Sequence, residues 1–124
     1  MKPVVHAKNS VRKFGGNLDD YMKFHNWMDS TKAHIPDIRH RMILHNAWGI
    51  FMAEQIFGSY FKNSDGKIVS VRDVLELHVV DDLGHIPTLE QCFKNFKAEP
   101  WMGSIEFRGG PVMSVNRTKV EIVE

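Results

Sequence analysis

The stretch Asp37-Ile-Arg-His-Arg-Met-Ile-Leu-His-Asn-Ala-Trp-Gly-Ile-Phe-Met-Ala-Glu-Gln-Ile-Phe57 decides how this chain is read. Pro36 disfavours helix at Ile35, and Asp37 can start a new one. On a wheel of about 100° per residue the apolar side chains that follow form no single stripe. Leu44, Ala47 and Phe51 point one way, Met42, Met52 and Ile56 another, and Ile43, Ile50 and Phe57 a third. A helix that is apolar nearly all round belongs in an interior, so 37–57 is expected to be one continuous, buried central helix that Gly58 terminates.

Elements on either side follow from local signals. Val4, Ala7, Val11 and Phe14 recur at helical spacing before Gly15-Gly16, and a second helix is expected from the Asn17 cap to about Ser30. Downstream, Asp65-Gly66 supplies the turn of a β-hairpin over 60–70. Ser70 then caps a helix from Val71 to about Leu83, closed by Gly84. Thr88 and Gln91 have capping-box spacing for a short helix to Phe96. Ser104–Phe107 and Val112–Val123 alternate in β-branched residues around Gly109-Gly110-Pro111 and read as a hairpin or arm. The fold class is therefore mainly α (α+β), a compact bundle of about five helices around a buried central helix, with one short β-hairpin and a C-terminal β-hairpin or arm. Residues 1–98 form a helical, histidine-rich domain and 99–124 a C-terminal β arm.

Composition excludes more than it assigns. The 124 residues are the length of one domain, and no stretch is apolar enough for long enough to cross a membrane. Sixteen Lys and Arg against 15 Asp and Glu give a net charge of +1, so nucleic acid is not indicated. Cys92, alone, cannot form an internal disulfide, and Met1-Lys-Pro-Val-Val-His6 lacks the apolar core of a signal peptide, so a cytoplasmic protein is expected.

Histidine is the unusual residue. All seven, His6, His25, His34, His40, His45, His78 and His85, lie within the first 85 residues. Imidazole binds metal and shuttles protons near neutral pH, so the crowding points to a site. On a continuous helix His40 and His45 diverge by about 140°, and no HExxH or ExxH pattern is present, so any site must be assembled between helices. His25 with Asp29, and His78 with Asp82, are i, i+4 pairs. His78 follows Val71 and Val74 on a core-facing stripe, which makes it an inward histidine backed by a carboxylate. The candidate metal ligands are His25, His40, His45, His78 and Asp82. His6 and His85, near segment ends, are expected to be exposed or capping. Against this stands the plain reading that each inward histidine is hydrogen-bonded in a polar core.

His6-Ala-Lys-Asn-Ser-Val-Arg-Lys-Phe-Gly-Gly16, His25-Asn-Trp27, Lys32-Ala-His34, Arg39-His-Arg41 with His45, Gly49-Ile-Phe51 with Glu54, Asn63-Ser-Asp-Gly66, Val71-Arg72, His78-Val79, Asp82-Leu-Gly84 and Ile86-Pro-Thr88 together resemble a family of small bacterial and phage proteins classed as a domain of unknown function, DUF6915. The resemblance spans about residues 6 to 96 and brings no activity. It implies a cytoplasmic protein of a bacterium or of a phage-infected host. Members usually carry a different residue at the position of His85, which lowers that histidine as a candidate.

Two functions are compatible with these residues. The favoured one is a non-catalytic protein-interaction module with a polar histidine core, pairing with a host protein or in a homodimer through the C-terminal β arm. The alternative is a divalent-metal-binding domain or metal-dependent phosphohydrolase, with one zinc, manganese or iron held by histidines and carboxylates from three helices. That alternative would superficially resemble the helical HD phosphohydrolases, but the His-Asp dipeptide that names them is missing.

Overall fold

A computed structural model describes residues 1–103. The chain divides after Lys94, with Met1–Lys94 as one unit and a second unit from Asn95 onward. In the second, the described part holds a single 3-10 turn, Pro100–Met102. The expected C-terminal hairpin, Ser104–Phe107 and Val112–Val123, lies outside the described residues.

The first unit is mainly helical. Its elements are α1 (Pro3–Phe14), α2 (Met22–Met28), α3 (Arg41–Leu44), α4 (Ala47–Phe57), β1 (Tyr60–Lys62), β2 (Ile68–Ser70), α5 (Val71–Leu83) and α6 (Leu89–Cys92), with 3-10 turns at Leu18–Asp20, Ser30–Ala33 and Ile38–His40. No helix among the described residues is long and apolar enough to cross a membrane.

Most boundaries have a chemical cause. Pro3 begins α1, where a missing N–H costs nothing. The Ser70 hydroxyl accepts from the Asp73 N–H at 3.2 Å and starts α5, while Gly84, at φ 83°, ends it in the left-handed region. Strands β1 and β2 pair antiparallel, Phe61 opposite Val69, around a turn in which Gly66 has φ 81°. The Thr88–Gln91 capping box forms, but α6 stops at Cys92 instead of reaching Phe96.

The largest correction concerns 37–57, which is not one helix. The chain passes from a 3-10 turn into the single turn of α3, breaks at His45 and Asn46, and restarts as α4. Asn46 makes the break. Its side-chain amide donates to the carbonyls of Met42 and Ile43 at 3.0 and 3.2 Å, while its Oδ1 accepts from the Gly49 N–H at 2.8 Å. One buried side chain thus caps the end of α3 and the start of α4. Gly49 fits because the Leu44 carbonyl lies where a Cβ would be.

The 37–57 segment is also not the buried centre. Ile38 is 71% exposed, and Phe51 and Ile56 are more than half exposed. The central helix is α5, which packs against α1, α2 and α4 and buries Val71, Val74, Leu75, His78 and Val79 completely. Tyr21, Phe24 and Met28 of the α2 region, Ala7 of α1, and Ile50 and Ala53 of α4 complete the apolar core. At one side of that core the helices meet through histidines.

Candidate metal centre

Four segments bring seven polar side chains to one place. His6 and Ser10 lie one turn apart on the inner face of α1. His25 is on α2, and Asp29 directly follows its last turn. His45 occupies the α3–α4 break, where φ −80° and ψ 61° turn it out of helical register. His78 and Asp82 sit one turn apart on α5. The imidazoles of His6, His25, His45 and His78 are fully buried; the side chains of Asp82 and Asp29 are 2% and 12% exposed.

The inner geometry centres on two imidazole nitrogens. His45 Nε2 and His78 Nε2 are 3.2 Å apart. His45 Nε2 lies 3.0 Å from Asp82 Oδ2 and 3.4 Å from Asp29 Oδ1. His78 Nε2 lies 3.4 Å from the same Asp82 oxygen and 3.3 Å from the same Asp29 oxygen. As neutral rings donating to the carboxylates, the two would crowd their N–H groups side by side, with His45 Nε2 and His78 Nε2 only 3.2 Å apart. The same four groups, two imidazoles and two carboxylates, could hold a metal ion.

The remaining edges of the cluster are different. His78 Nδ1 is 2.8 Å from His25 Nδ1, and His25 Nε2 is 2.8 Å from the Ser10 hydroxyl. The His6 ring stacks on His78 with centroids 3.6 Å apart and planes 16° from parallel. His6 Nε2 lies 3.2 Å from Asp82 Oδ1 without hydrogen-bond alignment. Arg41, on α3, has its guanidinium 3.6 Å from that oxygen, and the Met1 nitrogen is 3.1 Å from it.

Electrostatics separate the two edges. Burial alone would raise the Asp82 carboxyl, but the close imidazoles of His45, His6 and His78 hold it well below the usual carboxylate range. Asp29 is likewise lowered, by His45 and His78 acting against burial. Burial lowers His45, yet Asp29 and Asp82 outweigh that and raise it overall. His25, buried and facing His78 and His6 with no carboxylate in hydrogen-bond contact among the described residues, is lowered to about 3.

Of the residues proposed from sequence, His45, His78 and Asp82 share one donor group, and His25 joins His6 and His78 in a second. His40 belongs to neither. It is buried, its Nδ1 lies 3.1 Å from the Thr31 hydroxyl, and its ring meets His45 edge-on at 5.5 Å. His40, at the end of a 3-10 turn, and His45, just after α3, do not diverge as they would on a continuous α-helix, because a 3-10 turn advances about 120° per residue instead of about 100°. His6 is buried, contrary to the exposed or capping role its position suggested, whereas His34 and His85 are exposed. Sequence reasoning left Asp29 and His6 out of the ligand set. The available signals were i, i+4 spacings, His25 to Asp29 and His6 to Ser10, each placing a polar pair on one face.

No curated protein and no solved structure matches the chain. The family model for the domain of unknown function DUF6915 matches residues 1–102, through the hairpin and every segment that carries the cluster, and the chain belongs to that family.

Proposed function

We propose that this protein is a divalent-metal-binding domain in which Asp29, His45, His78 and Asp82 hold one ion, with zinc the best fit. The observation that carries this is the set of distances between the four donor atoms, 3.0 to 3.4 Å for the five pairs that involve a histidine nitrogen. A tetrahedral ion with bonds of about 2.0–2.1 Å to nitrogen and oxygen requires ligand–ligand edges of about 3.3 Å. Charge agrees, since two carboxylates balance a divalent cation while both imidazoles stay neutral, leaving no uncompensated buried charge among the ligands.

Four protein donors complete a tetrahedron. That favours a held, structure-organising ion over the three-ligand site with an open water position that phosphoester hydrolysis needs. We read the ion as an internal brace of a non-catalytic module acting in the cytoplasm of a bacterium or phage-infected host. Contacts with a host protein or a second copy would fall to the segment after residue 103.

Metal content tests the reading. Purified protein should carry one zinc per chain, and a chelator should lower its melting temperature. His78→Ala should lose the ion. Protein that takes up no zinc, and whose melting temperature responds to neither zinc nor chelator, would overturn the proposal.

A further inference from the structure

We infer that Ser10 and His25 are positioning residues that fix the tautomer of His78, so that Nε2 is the nitrogen presented to the ion and His25 itself is not a ligand. This rests on the metal reading above. The argument begins from the 2.8 Å separation of His25 Nδ1 and His78 Nδ1. Two ring nitrogens that close share one proton, because two N–H groups collide and two lone pairs repel. The question is which ring carries it.

Two arrangements satisfy the contact. In the first, the proton sits on His25 Nδ1, so neutral His78 carries its own proton on Nε2, directed at Asp29, and is blocked as a ligand through that atom. In the second, His78 Nδ1–H donates to His25 Nδ1, and His78 Nε2 is a bare lone pair facing His45, Asp29 and Asp82. His25, now an acceptor at Nδ1, must carry its proton on Nε2, where the Ser10 hydroxyl stands 2.8 Å away and accepts it. Each ring keeps one proton in both arrangements. Only the second leaves an ion with four donors, so ion binding and the Ser10–His25–His78 chain select the same tautomer.

Burial decides what the chain does. Ser10, His25 and His78 are all 0% exposed, so the chain ends inside the protein at Ser10 and offers no path to carry protons to solvent. Its role is to hold. The stacked His6 ring covers one face of His78 and fixes the plane in which its lone pair points. His45 has no such support among the described residues, since its buried Nδ1 meets no hydrogen-bond partner there. The two histidine ligands are therefore unequal, and His78 is the oriented one.

Nitrogen-15 NMR of the full chain, loaded with zinc and separately with cadmium-113, reads the tautomers directly. The expected result is a protonated Nδ1 and a cadmium-coupled Nε2 on His78, with His25 protonated on Nε2 only. Cadmium coupling to any His25 nitrogen, or a proton on His25 Nδ1 in the loaded protein, overturns the inference while leaving metal binding intact. Failure to take up either ion overturns both. Zinc affinity gives a second measure. His25→Phe, which removes the acceptor, should weaken binding about 10- to 100-fold, and His25→Gln, whose amide oxygen can accept, should recover most of it. Equal affinity for His25→Phe and the unmodified protein would contradict the assignment.

Discussion

The Nε2 edge of His78 faces two carboxylates and a second imidazole, whereas its Nδ1 edge faces His25 and, beyond that, a serine. Both edges are largely buried, yet their chemistry is opposite. Beside Asp29 and Asp82, His45 is raised; with no carboxylate in hydrogen-bond contact, His25 is lowered to about 3. Burial alone therefore does not define the site. The carboxylates do, by turning one side into a place for a cation and leaving the other as a neutral hydrogen-bonded brace.

The comparison is broken most severely by removing Asp82, which faces His6, His45, His78 and Arg41. Asp82→Ala should cost about 3–5 kcal/mol of stability by denaturant titration, because Arg41 and the raised His45 lose their counter-charge. It should also abolish zinc uptake.

Acid should act on both edges of the metal-free protein. His6, His25 and His40 are lowered from 6.5 by burial first, so below about pH 6.5 the unfolded chain binds protons that the folded chain refuses, and stability falls as pH falls. His45 is raised, so its contribution is complete below 6.5 and is lost as pH rises through its folded value. The large lowering of His25, to about 3, sets the expected sign, a net loss on acidification. Lowered Asp29 and Asp82 add a further loss below about 3.8. Thermal melts in chelator from pH 8 to 4 check this; a melting temperature that rises toward pH 5 would contradict it.

Gly49→Ala sharpens the comparison from a distance. Its Cβ would meet the Leu44 carbonyl at the break that presents His45, so about 1–3 kcal/mol of stability should be lost, with weaker zinc binding but an unchanged His25–Ser10 contact. The smallest effect is expected from Ser10→Ala, about 1 kcal/mol by thermal or chemical unfolding, with one zinc still bound per chain.

Much of this fold was legible where local chemistry acts alone. Ser70, Gly84 and Asp65-Gly66 bound α5 and the hairpin through caps and turns that involve only near neighbours. The 37–57 segment misled because its apolar residues suggested continuity and burial. Yet Asn46, a poor residue for a helix interior and a good N-cap three residues before Gly49, was the visible sign of the break. The 3-10 turn at Ile38–His40 explains the error over His40 and His45, since a wheel of about 100° per residue drawn through it assigns directions that do not exist. Among the site residues, His78 with Asp82 was readable as an i, i+4 pair, because both lie on one uninterrupted helix. His6 and Asp29 showed only the weaker signal of their i, i+4 spacing to Ser10 and His25, because the burial of His6 depends on α1 packing against α5 and Asp29 follows the end of α2, where helical spacing no longer fixes direction.

The central claim concerns four donor atoms around one ion, and X-ray absorption at the zinc edge of the loaded protein tests it most directly. The account predicts one zinc per chain in a four-coordinate shell of two imidazole nitrogens and two carboxylate oxygens, at about 2.0–2.1 Å. A six-coordinate shell dominated by water, or zinc that washes away without changing the melting temperature, would contradict it.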